Sequence, residues 1–292
     1  MLSFLAACGS SEERYQRQLT ASHEKASRSL SVLSERIDSG LIRNAKYIDA
    51  YADVVKRQKP ELTEIVELVQ VDATLRSPVF EGLQTRLDDS ARQIDAAAQA
   101  GGDTANQLLT ELSNLNNAAS SEVYDAMLAD SVNVLADMSD GSLSRVSSLS
   151  KRDSLSANGA ADMGEGSQYV GNPNYGSWQT GNNGSSFWSW YGKYALFSSL
   201  FNRGPIGYGY WSSNRDYSYY HDNGRSSFSS PAQKSRAVQT ETRARNTFAS
   251  QGRSFNSPYA RAKSSGTRPR TPSYNTRTSS STSSRSVSRG GK

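Results

Sequence analysis

Ser77-Pro78-Val79-Phe80-Glu81-Gly82-Leu83 opens the stretch that decides the fold. A serine ahead of a proline reads as an N-cap followed by the first helical position, where the missing N–H of Pro78 removes no hydrogen bond. Behind it Phe80, Leu83, Leu87, Ala91, Ile94 and Ala98 recur every three or four residues, which places them on one face of an α-helix. Gly101-Gly102 ends that helix, and Asp103 is positioned to cap the next. There Ala105, Leu108, Leu112, Leu115 and Ala119 continue the stripe, with Val132 and Leu135 later.

The same spacing runs upstream through Leu30, Leu33, Ile37, Leu41, Ala45, Ile48, Ala52 and Val55. An unbroken helix from Ser10 to Gln58 would reach roughly 70 Å at about 1.5 Å per residue, but Ser39-Gly40 invites a break. Pro60 suits the start of another helix, carrying Leu62, Ile65, Val66 and Val69. Strand signals are absent here. The stripes are narrow, with Ala and Ser at many seam positions, which suits slender packing better than a thick globule. The expectation for residues 9–138 is a mostly α domain: an elongated antiparallel helical bundle or coiled-coil hairpins serving as a spacer. A compact bundle whose stripes are simply core is the alternative.

Composition changes twice beyond this point. Residues 139–168, rich in Ser, Gly, Ala and Asp, read as a linker. Residues 169–222 hold all four tryptophans (Trp178, Trp188, Trp190, Trp211) among Tyr, Gly, Ser and Asn. Gly and Asn favour turns, while the aromatics offer large contact area with a polar tip. Phe187-Trp188-Ser189-Trp190-Tyr191 and the run from Tyr194 to Phe201 are apolar enough to dock. Three readings stand: a lid packed on the helices, a platform stacking on sugars or peptides, or a segment without order until it meets a partner or a membrane interface.

From Gly224 to Lys292 there are fourteen Lys and Arg against one acid, Glu241, a net +13. The chain's net charge is +5, so the first 223 residues carry −8. Apolar residues make up 35% of the chain, below the usual ~45–50%. Residues 223–292 have too little apolar mass to offset the entropy of ordering, and the expectation is a disordered Arg/Ser-rich tail. Its arginines, Arg243, Arg245, Arg268 and Arg270 among them, alternate with aromatics and suit contact with polyanions by charge and stacking.

At the other end Leu5-Ala6-Ala7-Cys8, followed by Gly9 and Ser10, has the order Leu, two small residues, Cys. This stretch, and no more of the chain, resembles the lipobox of bacterial lipoprotein precursors. The resemblance implies that the Cys8 thiol accepts a diacylglyceryl group and that residues 1–8 are the end of a signal. Acyl chains bury methylenes at roughly 0.8 kcal/mol each, enough with two or three chains for lasting membrane anchoring. Gly9, where lipoproteins of this type use Asp for inner-membrane retention, implies the outer membrane. Met1–Ala7 contains no Lys or Arg and is shorter than a signal's apolar run of about 7–15 residues plus its basic start. Either the native start lies upstream or the match is accidental; were Met1 the start, the protein would stay in the cytoplasm.

Chemistry finds little to work with. One Cys excludes an internal disulfide and a multi-cysteine metal site. His23 reads as a residue on a polar helix face, and His221, beside Asp222, as a weak candidate for ligand contact. The carboxylate pairs Glu64/Glu67, Asp88/Asp89 and Glu122/Asp125 suit acid–base work only if buried, and at these spacings read as solvated helix faces. Gly204-Pro205-Ile206-Gly207-Tyr208-Gly209 resembles a phosphate loop only superficially, since neither Lys-Ser/Thr nor a helical pattern follows. No enzyme and no cofactor are expected. The expected function is a non-enzymatic envelope lipoprotein, anchored at Cys8, whose basic tail contacts anionic polymers such as lipopolysaccharide or peptidoglycan, or acidic proteins. Trp178, Trp188, Trp190 and Trp211 with Arg243, Arg245, Arg268 and Arg270 are the expected contact residues. A cytoplasmic nucleic-acid-associated protein and a glycan-binding surface component are the alternatives.

Overall fold

The computed structural model describes residues 10–182, 184–201 and 204–260; within them the chain is mostly helical, with one two-stranded sheet. Helix α1, Ser11–Asp38, opens on a capping box in which Ser10 and Glu13 satisfy each other's backbone N–H. It stops at Ser39-Gly40, where Gly40 has φ +61, so the break expected there occurs. Then come α2 (Arg43–Gln58), a 3₁₀ turn at Pro60–Leu62, and α3 (Thr63–Gln70). Helix α4, Pro78–Ala100, starts as its sequence predicts: the Ser77 hydroxyl accepts the Phe80 N–H at 2.9 Å. Helix α5, Gly102–Ala118, has Gly101 as its N-cap without a side-chain bond. Asp103 lies in the first turn rather than at the cap.

Helices α1, α4 and α5 pack on one another and bury Leu19, Leu30, Leu33, Leu83, Leu108 and Leu112. Gln16 donates to Asp95 near the end of α4, and Ser29 donates to Asn116 near the end of α5. So α1 runs antiparallel to α4 and parallel to α5, and its N-terminus lies beside the Gly101-Gly102 turn. Two short helices follow, α6 (Ser121–Met127) and α7 (Ala129–Met138).

Helix α7 organises the rest of the molecule. All ten of its residues are buried, including Asp130, Ser131, Asn133 and Asp137. Buried polar groups are stable only when hydrogen-bonded, and each of these four holds a piece of chain outside α7. Asp130 accepts the backbone N–H groups of Tyr219 (2.7 Å) and Tyr220 (2.9 Å). Ser131 donates to Asp72, Asn133 accepts the Val146 N–H, and Asp137 accepts from Arg145 and Gln168.

Residues 139–168 are therefore not a free linker. Arg145, with its side chain 3% exposed, lies between Asp137 and Asp216 at 2.7 and 2.8 Å. Helix α8, Lys151–Asn158, turns Ser154 onto Asp216. The polar composition conceals buried ion pairs rather than solvated chain. Strands β1 (Gly176–Thr180) and β2 (Ser186–Trp190) pair antiparallel with Trp178 opposite Trp188. After a 3₁₀ stretch at Gly192–Leu200, α9 runs from Tyr208 to Asn214. A helix thus does follow the glycine loop at 204–209, contrary to expectation; Gly207 precedes it without a capping side chain. The aromatic segment packs against the helices.

The largest departure lies beyond residue 223. Helix α10 (Arg225–Phe228) packs on α5, and α11 spans Pro231–Ser250. The expectation of disorder from residue 223 fails here for a local reason. Ser230 and Gln233 form a capping box around Pro231, on the same Ser-Pro start that opens α4. Residues 251–260 end with Pro258 buried, its carbonyl accepting two hydrogen bonds from Arg215. The tail beyond residue 260 lies outside the described residues.

Candidate functional site

The four tryptophans are neighbours, but they do different work. Trp178 lies 5.2 Å from Trp188 and 5.1 Å from Trp211 between ring centroids, and 4.8 Å from Tyr208. Trp211 is fully buried and packs edge-on against His221. Trp190, partly exposed, stacks on Phe197 and Phe201. Trp178 and Trp188 alone of the four line a cavity of about 90 Å³. Trp211 packs in the core and Trp190 stacks on two phenylalanines, so neither lines this cavity.

Glycines make this aromatic packing possible. Gly171 has φ +84, and a Cβ there would sit 2.7 Å from the Trp211 ring. A Cβ on Gly176 would lie 2.4 Å from the Ser189 carbonyl oxygen and 2.6 Å from Trp188. Only glycine lets backbone and indole approach this closely.

The cavity is closed by Gly171 and the hairpin on one side, Tyr208 of α9 and Tyr220 on another, and α11 with Tyr259 above. Arg225, Lys234 and Arg236 line it, and no Asp or Glu does. The Arg225 guanidinium lies 3.6 Å from the Tyr259 ring centroid, a cation–π contact that leaves its N–H edge available. Neither Arg225 nor Arg236 has an ion pair among the described residues. Lys234 donates to the Ser226 carbonyl and lies 3.8 Å from Glu111. Burial, with Arg86 and Arg225 nearby, holds Lys234 below its ordinary range in spite of Glu111. Two further donors in the wall, Trp188 Nε1 and the Tyr208 hydroxyl, are buried without a partner among the described residues. Burial raises the Tyr208 phenol well above its ordinary range, so it stays protonated.

A second polar centre joins the two halves. Asp72 is 1% exposed, and its Oδ2 accepts from Tyr169 (2.6 Å), Ser131 (2.7 Å) and Tyr175 (2.9 Å). Burial pushes its carboxyl up to about 6, although the three hydroxyls pull the other way. Burial likewise pushes Asp130 up to about 7 against its two backbone donors. His221 is buried with Nε2 on the Val170 carbonyl at 2.8 Å, and burial followed by Arg215 holds it well below its ordinary range. It is a core residue and lies outside the cavity lining.

Other singled-out residues scatter. Arg243 and Arg245 are exposed on α11, the first donating to Thr180 and the second paired with Glu241. Glu64, Glu67, Asp88 and Glu122 are exposed. Asp125 instead accepts the Asn44 N–H at 2.6 Å and pins α2 to α6. His23 is half-buried rather than solvated. Cys8, Arg268 and Arg270 lie outside the described residues. Among the described residues no group of three or more His, Cys, Asp or Glu is placed to hold a metal. Sequence reading missed Arg225, Lys234, Arg236 and Tyr259; the Ser230-Pro231-Ala232-Gln233 capping signature was the available signal for the helix that carries two of them.

No family model matches the chain, and no curated protein or solved structure is significantly similar to it.

Proposed function

We propose that this chain is a non-enzymatic, lipid-anchored protein of the bacterial envelope that contacts anionic polymers through a cationic face built on α11. The observation that carries the reading is the sorting of charge. Residues 224–260 hold six Lys and Arg against one acid, and Arg236, Arg243 and Arg245 are exposed along a single helix. The first 223 residues, by contrast, are net negative. A further eight basic and no acidic residues follow from 261 to 292. Such a surface attracts polyanions broadly and in a salt-dependent way. Tethering raises its effective concentration, so weak individual contacts suffice.

The arrangement of the ends suits a tether. The N-terminus of α1 lies at the Gly101-Gly102 turn, while Asn117, at the far end of α5, donates to Ser227 beside α11. Fifteen residues of helix between those points span roughly 20 Å at about 1.5 Å each. In this reading α1, α4 and α5 are a slender antiparallel bundle that holds the cationic face off the membrane. Among the described residues no helix is long and apolar enough to cross a bilayer; in this reading Cys8 of the Leu5-Ala6-Ala7-Cys8 stretch carries the attachment.

Radiolabelled palmitate, fed to cells producing the full chain or a Cys8→Ser variant, tests the anchor. Label on the first and none on the second is expected. Equal labelling, or a protein that fractionates with the cytosol and binds RNA, removes the reading.

A further inference from the structure

The cavity beneath α11 is more specific than a cationic surface needs to be. A polymer held by charge alone requires exposed arginines, and α11 has those. It does not require two tryptophans and four tyrosines around a recess, nor glycines at 171 and 176 that let tryptophan rings meet the backbone. Nor does it require buried donors left unpartnered. Unpartnered buried N–H and O–H groups are unfavourable, because they give up water without gaining a partner. Trp188 Nε1 and the Tyr208 hydroxyl both belong to the wall of this recess.

We propose that the cavity binds an acidic sugar residue, its ring against Trp178 and its carboxylate on Arg225 and Arg236. Aromatic faces bind sugars because the C–H face of a pyranose is apolar, while its hydroxyls seek hydrogen bonds at the rim. Ser177 and Gln233 in the lining supply such groups, while the Ser229 and Thr240 hydroxyls there are already bonded to the Tyr220 hydroxyl and the Arg236 carbonyl. A wall with three cations and no carboxylate selects for negative charge. At about 90 Å³ the recess admits one acid group with part of its ring, rather than a folded segment. A peptide acid would use the cations equally well but would leave the aromatic wall unexplained. The envelope reading enters only in making a saccharide the carrier of the charge.

The test uses the full chain and follows tryptophan fluorescence and titration calorimetry with three probes. These are a trisaccharide of uronic acid, the same trisaccharide with its carboxyls reduced to alcohols, and inorganic phosphate. The uronate is expected to bind and to change tryptophan emission. The neutral sugar and phosphate are expected to bind roughly tenfold or more weakly, the scale of a lost charge-assisted hydrogen bond. Arg236→Gln, at an exposed helical position, should weaken uronate binding by a similar factor with an unchanged circular dichroism spectrum. Trp178→Phe should weaken it while leaving the salt dependence in place. Equal affinity for the neutral sugar, phosphate binding as tight as uronate, or no effect of Arg236→Gln overturns the proposal. Palmitate labelling of Cys8 is read independently: uronate binding without labelling leaves the sugar site and removes the anchor, and labelling without uronate binding does the reverse.

Discussion

Replacing Asp72 by Asn gives a stability test whose sign is set by two opposed effects. Three hydroxyls converge on Asp72 Oδ2 within 2.9 Å, and Lys193 adds a favourable charge at longer range. These favour the carboxylate. Its burial favours the neutral acid, and burial prevails, raising the group from 3.8 to about 6. A folded-state value above the unfolded one means that protonation favours the fold. The resulting stability is fully present below pH 3.8 and is lost as pH rises through about 6. A rise of about two on the pH scale corresponds to roughly 3 kcal/mol, since each tenfold change in proton affinity is worth about 1.4 kcal/mol. Asparagine cannot titrate, and its constant penalty cancels when one pH is compared with another. Urea unfolding of both proteins, followed by tryptophan fluorescence and far-ultraviolet dichroism from about pH 3.5 to 7.5, gives the stability gap directly. Wild type minus Asp72→Asn should fall by roughly 3 kcal/mol across that range. A flat gap would refute the reasoning, and a gap that widens with pH would show that the hydroxyls outweigh burial. The two probes should also coincide, because Asp72 ties the tryptophan-bearing segment to α7.

Three further outcomes follow from the packing. Arg215→Ala leaves Asp222 buried without its bidentate partner and frees the Pro258 carbonyl; chemical denaturation should show a loss of about 3–5 kcal/mol, and limited proteolysis should cut first within residues 251–260. Gly171→Ala combines a left-handed φ with a 2.7 Å approach to Trp211, so a loss on the order of 2–5 kcal/mol and a shifted tryptophan emission are expected. Ser230→Ala removes the N-cap of α11 and should lower stability by about 0.5–2 kcal/mol, with hydrogen exchange quickening in α11 and not in α4.

The helices from α1 to α5 were legible because their burial is one-sided. Leu83 and Leu108 point to one core, so spacing alone reveals them, and Ser77-Pro78 and Ser39-Gly40 mark ends through backbone chemistry that needs no tertiary knowledge. Helix α7 escaped that logic. It is enclosed on all sides, so the stripe of Val132 and Leu135 shows only one of its buried sides, and its Asp130, Ser131, Asn133 and Asp137 look like a solvated face. Only the partners, distant in sequence, reveal them as buried attachment points. Arg145 is the complement: one arginine in a Ser- and Gly-rich stretch, whose carboxylates lie 8 and 71 residues away.

The cavity was half legible for a related reason. Its aromatic half announces itself as composition, since Trp178 and Trp188 stand in a segment no ordinary loop resembles. Its cationic half does not, because Arg225, Lys234 and Arg236 occur in sequence that composition assigns to disorder. Composition measures how much apolar surface a segment can bury by itself. Helix α11 buries little of its own, only Thr240 among its twenty residues, yet it is held over the rings of another segment by Lys234 on the Ser226 carbonyl, Arg243 on Thr180 and Ala244 packed against the core. A polar segment of this kind gains order from surface that other residues supply, and its charges then face whatever those residues enclose. That is why the arginines nearest the recess stay hidden in the sequence while Arg243 and Arg245, farther along the same helix, read as tail.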